Sequence, residues 1–200
     1  FGLQLQLQAS ASPLVLQGER GLSRKSATPG NASYYYSLTR LPTRGELRIG
    51  EVRYTVTGHS WMDREWSSSA LDRDQAGWDW FALQLDDGRD LMYYQLRDAK
   101  GAADPFSRGS LVEPDSQVQA LLPGQVTLTP LRHWLADEGT RYPVSWRLLV
   151  TEPELDLTVD ALFDDQRMDH SVRYWEGAVE VSGSHSGRGY LELSGYASIQ

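Results

Sequence analysis

The chain has 200 residues, 40% hydrophobic and 10% aromatic, enough for one large folded core or two modest ones. A formal charge of −8, with Lys and Arg scattered singly, leaves no basic stripe for phosphates and argues against nucleic acid and anionic membrane surfaces as partners. With no cysteine, disulfides, thiolate metal sites and cysteine nucleophiles are all excluded.

Residues 3–8, Leu-Gln-Leu-Gln-Leu-Gln, alternate with period two and predict a half-buried strand. Residues 13–32 turn to Gly, Ser, Pro and charge and read as a long connection. Ser33 to Leu41 returns to strand with three consecutive tyrosines. Strands at 45–49 and 52–56 flank Gly50-Glu51, a hairpin signal. Further strands are predicted at 59–66, 78–85, 91–97, 125–129, 144–151, 154–160, 173–181 and 188–196, with Asp86-Asp87-Gly88 as a turn. Only 70–75 and 164–168 suggest helical turns. Many short strands at near-regular spacing predict an all-β antiparallel sandwich or barrel. No apolar run is long enough to span a bilayer as a helix.

The densest chemistry lies in His59-Ser-Trp-Met-Asp-Arg-Glu-Trp66 and Trp78-Asp-Trp-Phe81, which together hold four of the seven tryptophans. In a strand, His59, Trp61, Asp63 and Glu65 share one face. That mixture makes a poor surface and a worse dry core, but it suits the wall of a partly solvated pocket. Carboxylates beside indoles are expected to have raised pKa values and to serve as general acids. The plainer reading ties Asp63 or Glu65 to Arg64 or Arg73. On the next strand Trp78, Trp80, Ala82 and Gln84 read as pocket wall, while Asp79, Phe81, Leu83 and Leu85 read as core. Tyr94 joins the candidate ligand contacts, and Arg97 is expected at the surface. Trp175 alternates with Glu176; it is a second candidate contact or a core residue. Gly177 marks a bulge or a close approach. His59, His133, His170 and His185 lack metal-ligand spacing.

The blocks Leu16-Gln-Gly-Glu-Arg-Gly-Leu-Ser-Arg-Lys25, Ala32-Ser-Tyr-Tyr-Tyr-Ser37, Ser60-Trp-Met-Asp-Arg-Glu-Trp66, Gly77-Trp-Asp-Trp-Phe81 and Leu83-Gln-Leu-Asp-Asp-Gly88 carry a family resemblance. So do Tyr174-Trp-Glu-Gly-Ala178 and Gly189-Tyr-Leu-Glu-Leu193. Taken in order, these blocks resemble the AttH-like predicted secreted hydrolases, a family related to carotenoid 1,2-hydratase. The resemblance implies two lipocalin-like β domains with a ligand cavity near their junction. Residues 1–67 would be the closing strands of the first domain, whose N-terminal portion would be a missing partner, and 68–200 the second barrel. It implies a periplasmic or secreted location and no cofactor.

Three functions follow as expectations. The first is a hydrolase or hydro-lyase acting on an apolar, lipid- or isoprenoid-like molecule. In it Asp63 or Glu65 is the acid/base and His59 a proton partner, with Trp61, Trp66, Trp78, Trp80, Tyr94 and Trp175 as ligand contacts. The second is a non-catalytic carrier of a hydrophobic ligand, working beside a transporter. The third is a structural module whose tryptophans are only core.

Overall fold

The computed structural model describes residues 1–67, 69, 71–169 and 173–196, and among them it contains no α-helix. The two suspected helical turns are not formed. Residues 71–75 make a tight turn closed by Gln75 N–H on the Asp72 carbonyl, and Arg167–Asp169 is a short strand. Ala70, which begins the first of them, and His170 lie outside the described residues.

The strands form two antiparallel sheets. The first is built on β4 (Ala32–Ile49), which pairs with β1 (Gly2–Leu7), β2 (Leu14–Leu16), β3 (Leu22–Arg24) and β5 (Val52–Ser67). The expected strands at 33–41 and 45–49 are one continuous β4, and those at 52–56 and 59–66 are one continuous β5. Gly50 turns between them at φ 60°, a conformation that costs glycine little. The stretch read as a long connection carries β2 and β3. These strands of three residues each are too short to show alternation.

The second sheet has ten strands and includes β6 (Gln75–Leu85), β7 (Asp90–Asp98), β8 (Arg108–Val112), β9 (Val118–Leu121), β10 (Val126–Leu135), β11 (Arg141–Thr151) and β12 (Glu154–Ala161). It is completed by β13 (Arg167–Asp169), β14 (Arg173–Gly183) and β15 (Gly187–Ser194). β6 lies mid-sheet, between β15 and β7.

The sheet curls into a half-barrel whose concave face is filled. Phe81, Leu83 and Leu85 point inward and pack with Leu148, Leu157, Leu191, Trp146 and Trp175, all essentially inaccessible to solvent. Phe81 meets the Trp146 indole edge-on at 5.6 Å. These buried side chains form the larger core cluster among the described residues. The expectation for Arg97 is corrected here. It is 7% exposed and sits inside one end of the half-barrel, its Nε 2.9 Å from the Asp79 carboxylate. Its guanidinium lies 4.0 Å from the Tyr196 ring, and the Tyr196 hydroxyl donates to Asp79 at 2.8 Å. A buried carboxylate this short of water needs a cation, and Arg97 supplies it.

The convex face of β6 and β7 stacks on the first sheet through Met92, Tyr94, Leu96, Trp78 and Trp80 against Tyr35 and Trp61. Arg40 on β4 locks the two sheets together. It pairs with the buried Asp90 on β7 at 2.7 Å and donates to the Leu85 and Arg89 carbonyls at the β6–β7 hairpin. Gln84 reaches back to the Thr39 carbonyl at 2.6 Å.

Two outcomes follow. Arg40→Met leaves Asp90 buried without a cation, and the unfolding free energy from denaturant titration drops by about 3 kcal/mol, part of which returns in Arg40→Met/Asp90→Asn. Burial pushes the Asp79 carboxyl up from 3.8 to about 6, against the opposing pull of Arg97. A carboxyl raised in the folded state contributes stability below its unfolded pKa and loses it as pH rises through the folded value. Unfolding free energy therefore falls between pH 4 and 6, and Asp79→Asn flattens that slope.

Candidate functional site

The stacking of the two sheets leaves a large space between them. A half-open cleft of about 1130 Å³ runs between the inner face of β5 and the convex face of β6 and β15. Its size suits a small organic molecule. Period-two alternation explains its walls. On β5 it turns His59, Trp61, Asp63 and Glu65 the same way. On β6 it turns Trp78, Trp80, Ala82 and Gln84 to meet them.

Asp63 is the centre of the cleft's hydrogen bonding. Trp61 Nε1 donates to Oδ1 at 2.9 Å and the Tyr35 hydroxyl to Oδ2 at 2.8 Å. Trp80 Nε1 in turn donates to the Tyr35 oxygen at 3.1 Å, and the Trp61 and Trp80 rings meet edge-to-face at 6.4 Å. Among the described residues no cation pairs with Asp63. Burial raises its pKa above the ordinary carboxylate value, with Ser37, Trp61 and Tyr35 pulling the other way. Burial also lifts the Tyr35 hydroxyl well above the usual phenol range, with the Asp63 charge adding to the effect.

Glu65 is different. Its carboxylate is 2.9 Å from Lys25 Nζ and accepts from Ser33 Oγ at 2.5 Å. It pairs with neither Arg64 nor Arg73. Lys25 is itself mostly buried, its ammonium 4.0 Å from the Tyr94 ring centroid. His59 is exposed at one end of the cleft, where it also borders a second cavity of about 890 Å³ beside Leu7 and Pro42. Asp63 lies four residue steps along the strand from it, about 13 Å at the usual rise, so the two do not touch.

Trp66 faces the other way. It is half exposed at the rim, with Tyr34 and Tyr36 packed at 6.0 and 6.3 Å. Tyr94 lines the cleft and shares a 2.8 Å hydrogen bond with Ser23. Trp175 does not reach the cleft. Its indole is fully buried in the barrel core and donates to the Asp164 carbonyl at 2.7 Å. The close approach at Gly177 is made by Gln166, whose amide bonds both backbone groups of Ala178 where a Cβ would collide.

Sequence reasoning missed three cleft residues that matter: Tyr35, Lys25 and Glu192. Trp78 Nε1 donates to Glu192 at 2.6 Å, and burial raises this carboxyl too, reinforced by Glu176, Asp63 and Glu65. Alternation in 33–37 already set Tyr35 on the side opposite Tyr34 and Tyr36. Lys25 and Glu192 lie within blocks of the family resemblance, 16–25 and 189–193, but alternation and spacing marked neither.

The AttH-like family model matches residues 1–196. No curated protein matches the chain. Among solved structures, an AttH protein from Nitrosomonas europaea is 39% identical with a TM-score of 0.89, covering 98% of this chain and 62% of that one. Kievitone hydratase from Nectria haematococca shares the fold, with a TM-score of 0.76 at 18% identity, covering 97% of this chain and 61% of that one. The chain thus spans about three-fifths of the length of both. It belongs to the AttH-like family.

Proposed function

We propose that this chain carries the active cleft of a cofactor-independent hydratase or hydrolase acting on a small, largely apolar molecule of lipid or isoprenoid type. Asp63 is its acid/base group. The observation that carries the reading is Asp63 itself, a carboxylate aimed into an aromatic-walled cleft, held by two neutral donors and balanced by no cation. Such a group keeps its proton to higher pH than an ordinary aspartate, which suits acid/base work. Trp61, Trp78, Trp80 and Tyr94 wall the cleft, and indole faces stabilise a cation formed when an alkene is protonated. A hydratase among proteins of this fold is in keeping with that chemistry.

Two of the three Lys and Arg side chains at the cleft are already engaged, Lys25 with Glu65 and Arg40 with Asp90, and the third, Arg188, is exposed. That favours a neutral substrate over an anionic one. The passage from one sheet to the other between Ser67 and Gln75 supports a domain boundary near residue 67. The carrier reading draws on the Glu65–Lys25 pair, which ties one of the two expected carboxylates to a cation.

In the full-length protein, with kievitone and neutral isoprenoid alkenes as probes, mass spectrometry is expected to detect gain of one water. Asp63→Asn lowers that turnover by about 100-fold or more and spares probe binding by fluorescence titration. Unchanged turnover in Asp63→Asn removes Asp63 from the mechanism, and a wild type that binds the probes without turning them over leaves the carrier. Stability moves the opposite way. The raised Asp63 carboxyl contributes stability at low pH that is lost as pH rises through its folded value, and asparagine has no such loss. Thermal melts are therefore expected to show Asp63→Asn gaining on the wild type as pH increases from 4 to 8.

A further inference from the structure

Glu192 on β15 is paired in register with Trp80 on one side and with Glu176 of β14 on the other. Two glutamates directly opposite on one sheet face repel each other and destabilise the pairing. Trp78 orients Glu192 into the cleft, as Trp61 orients Asp63 from the facing sheet. Among the described residues no cation pairs with Glu192. Each cleft wall thus presents one carboxylate steered by an indole N–H, with the Trp61–Trp80 contact next to both.

The two carboxylates are held differently. Asp63 accepts on both oxygens, from Trp61 and from Tyr35, which favours its anion. Glu192 accepts a single donor. The groups facing it are mainly acidic or phenolic: Asp63 and Glu65 from β5, Glu176 and Tyr174 from β14, and Tyr190 on its own strand. Lys25 is tied to Glu65, and Arg188 is exposed.

We propose that Asp63 and Glu192 work as a pair of opposite function, Glu192 holding the proton delivered to the substrate and Asp63 the anion that takes one from water. This rests on the hydration reading above. The Glu192 proton and the alkene π pair form the new C–H bond, leaving a carbocation against the indoles. A water lone pair closes on that carbon to form C–O, and the proton it releases goes to Asp63. One proton then passes through solvent from Asp63 to Glu192, and the net change is addition of one water.

The test is a pH titration of the ¹³C-labelled side-chain carboxyls by NMR, on ligand-free full-length protein. Both groups are expected to titrate above the ordinary range, Glu192 higher. Asp63→Asn is expected to lower the Glu192 midpoint by about one pH unit or more, and Glu192→Gln to lower that of Asp63. Both amides still accept an indole N–H, and the wild-type titration alone decides the order if a variant does not fold. A Glu192 midpoint near 4.3, or one indifferent to residue 63, overturns the pair. With kievitone as the probe, Glu192→Gln is expected to lower kcat by about 100-fold with little change in KM and to remove the alkaline limb of the pH profile. Asp63→Asn removes the acidic limb. A wild type that hydrates neither kievitone nor the isoprenoids defeats the hydration reading, and the titration still decides whether the carboxyls are coupled.

Discussion

The Arg40–Asp90 ion pair fixes the first sheet on the convex face of the second, and the cleft exists only because of that stacking. The concave face is occupied by the core cluster that includes Phe81, Trp146 and Trp175. A small barrel that buries its core this completely leaves outside surface for binding. Here the outside surface is walled by a second sheet. Trp80 to Tyr35, Gln84 to Thr39 and Tyr94 to Ser23 are all bonds across this boundary, each joining residues far apart in the chain. They make the junction polar as well as aromatic, so its carboxylates have hydrogen-bond donors before any guest arrives.

Much of this was legible from alternation. The shared face of His59, Trp61, Asp63 and Glu65 and the wall of Trp78 and Trp80 follow from period two in strands whose boundaries the turns at Gly50 and Gly88 help to set. Period two does not say which face of a curled sheet is concave. Trp175 and Trp78 have the same local look, yet one lies in the core and the other in the cleft. Arg97 is illegible for a related reason: its partner Asp79 comes from the neighbouring strand and Tyr196 from near the end of the chain. Lys25 follows a three-residue strand in a Gly- and Ser-rich stretch, and Glu192 is an ordinary glutamate until β15 sets it beside β6. Each becomes a site residue through sheet pairing or sheet stacking, which no local pattern encodes.

The cleft sacrifices stability to hold its chemistry. Asp63 and Glu192 are both raised by burial, and Glu176 stands opposite Glu192. A protein selected only for stability would place neutral or apolar groups there. The same argument explains the Glu65–Lys25 pair. It neutralises one carboxylate of the set and places an ammonium over the ring of Tyr94, a wall residue.

The central claim is that the guest lies between the sheets. The direct measurement is a crystal structure of the full-length protein with a bromine-labelled isoprenoid alcohol, read from the anomalous signal. The account predicts a bromine peak in the cleft bounded by Trp61, Trp80, Asp63 and Glu192. A peak within the half-barrel against Phe81 and Trp146, or on the exposed face of the first sheet with the cleft empty, would contradict it.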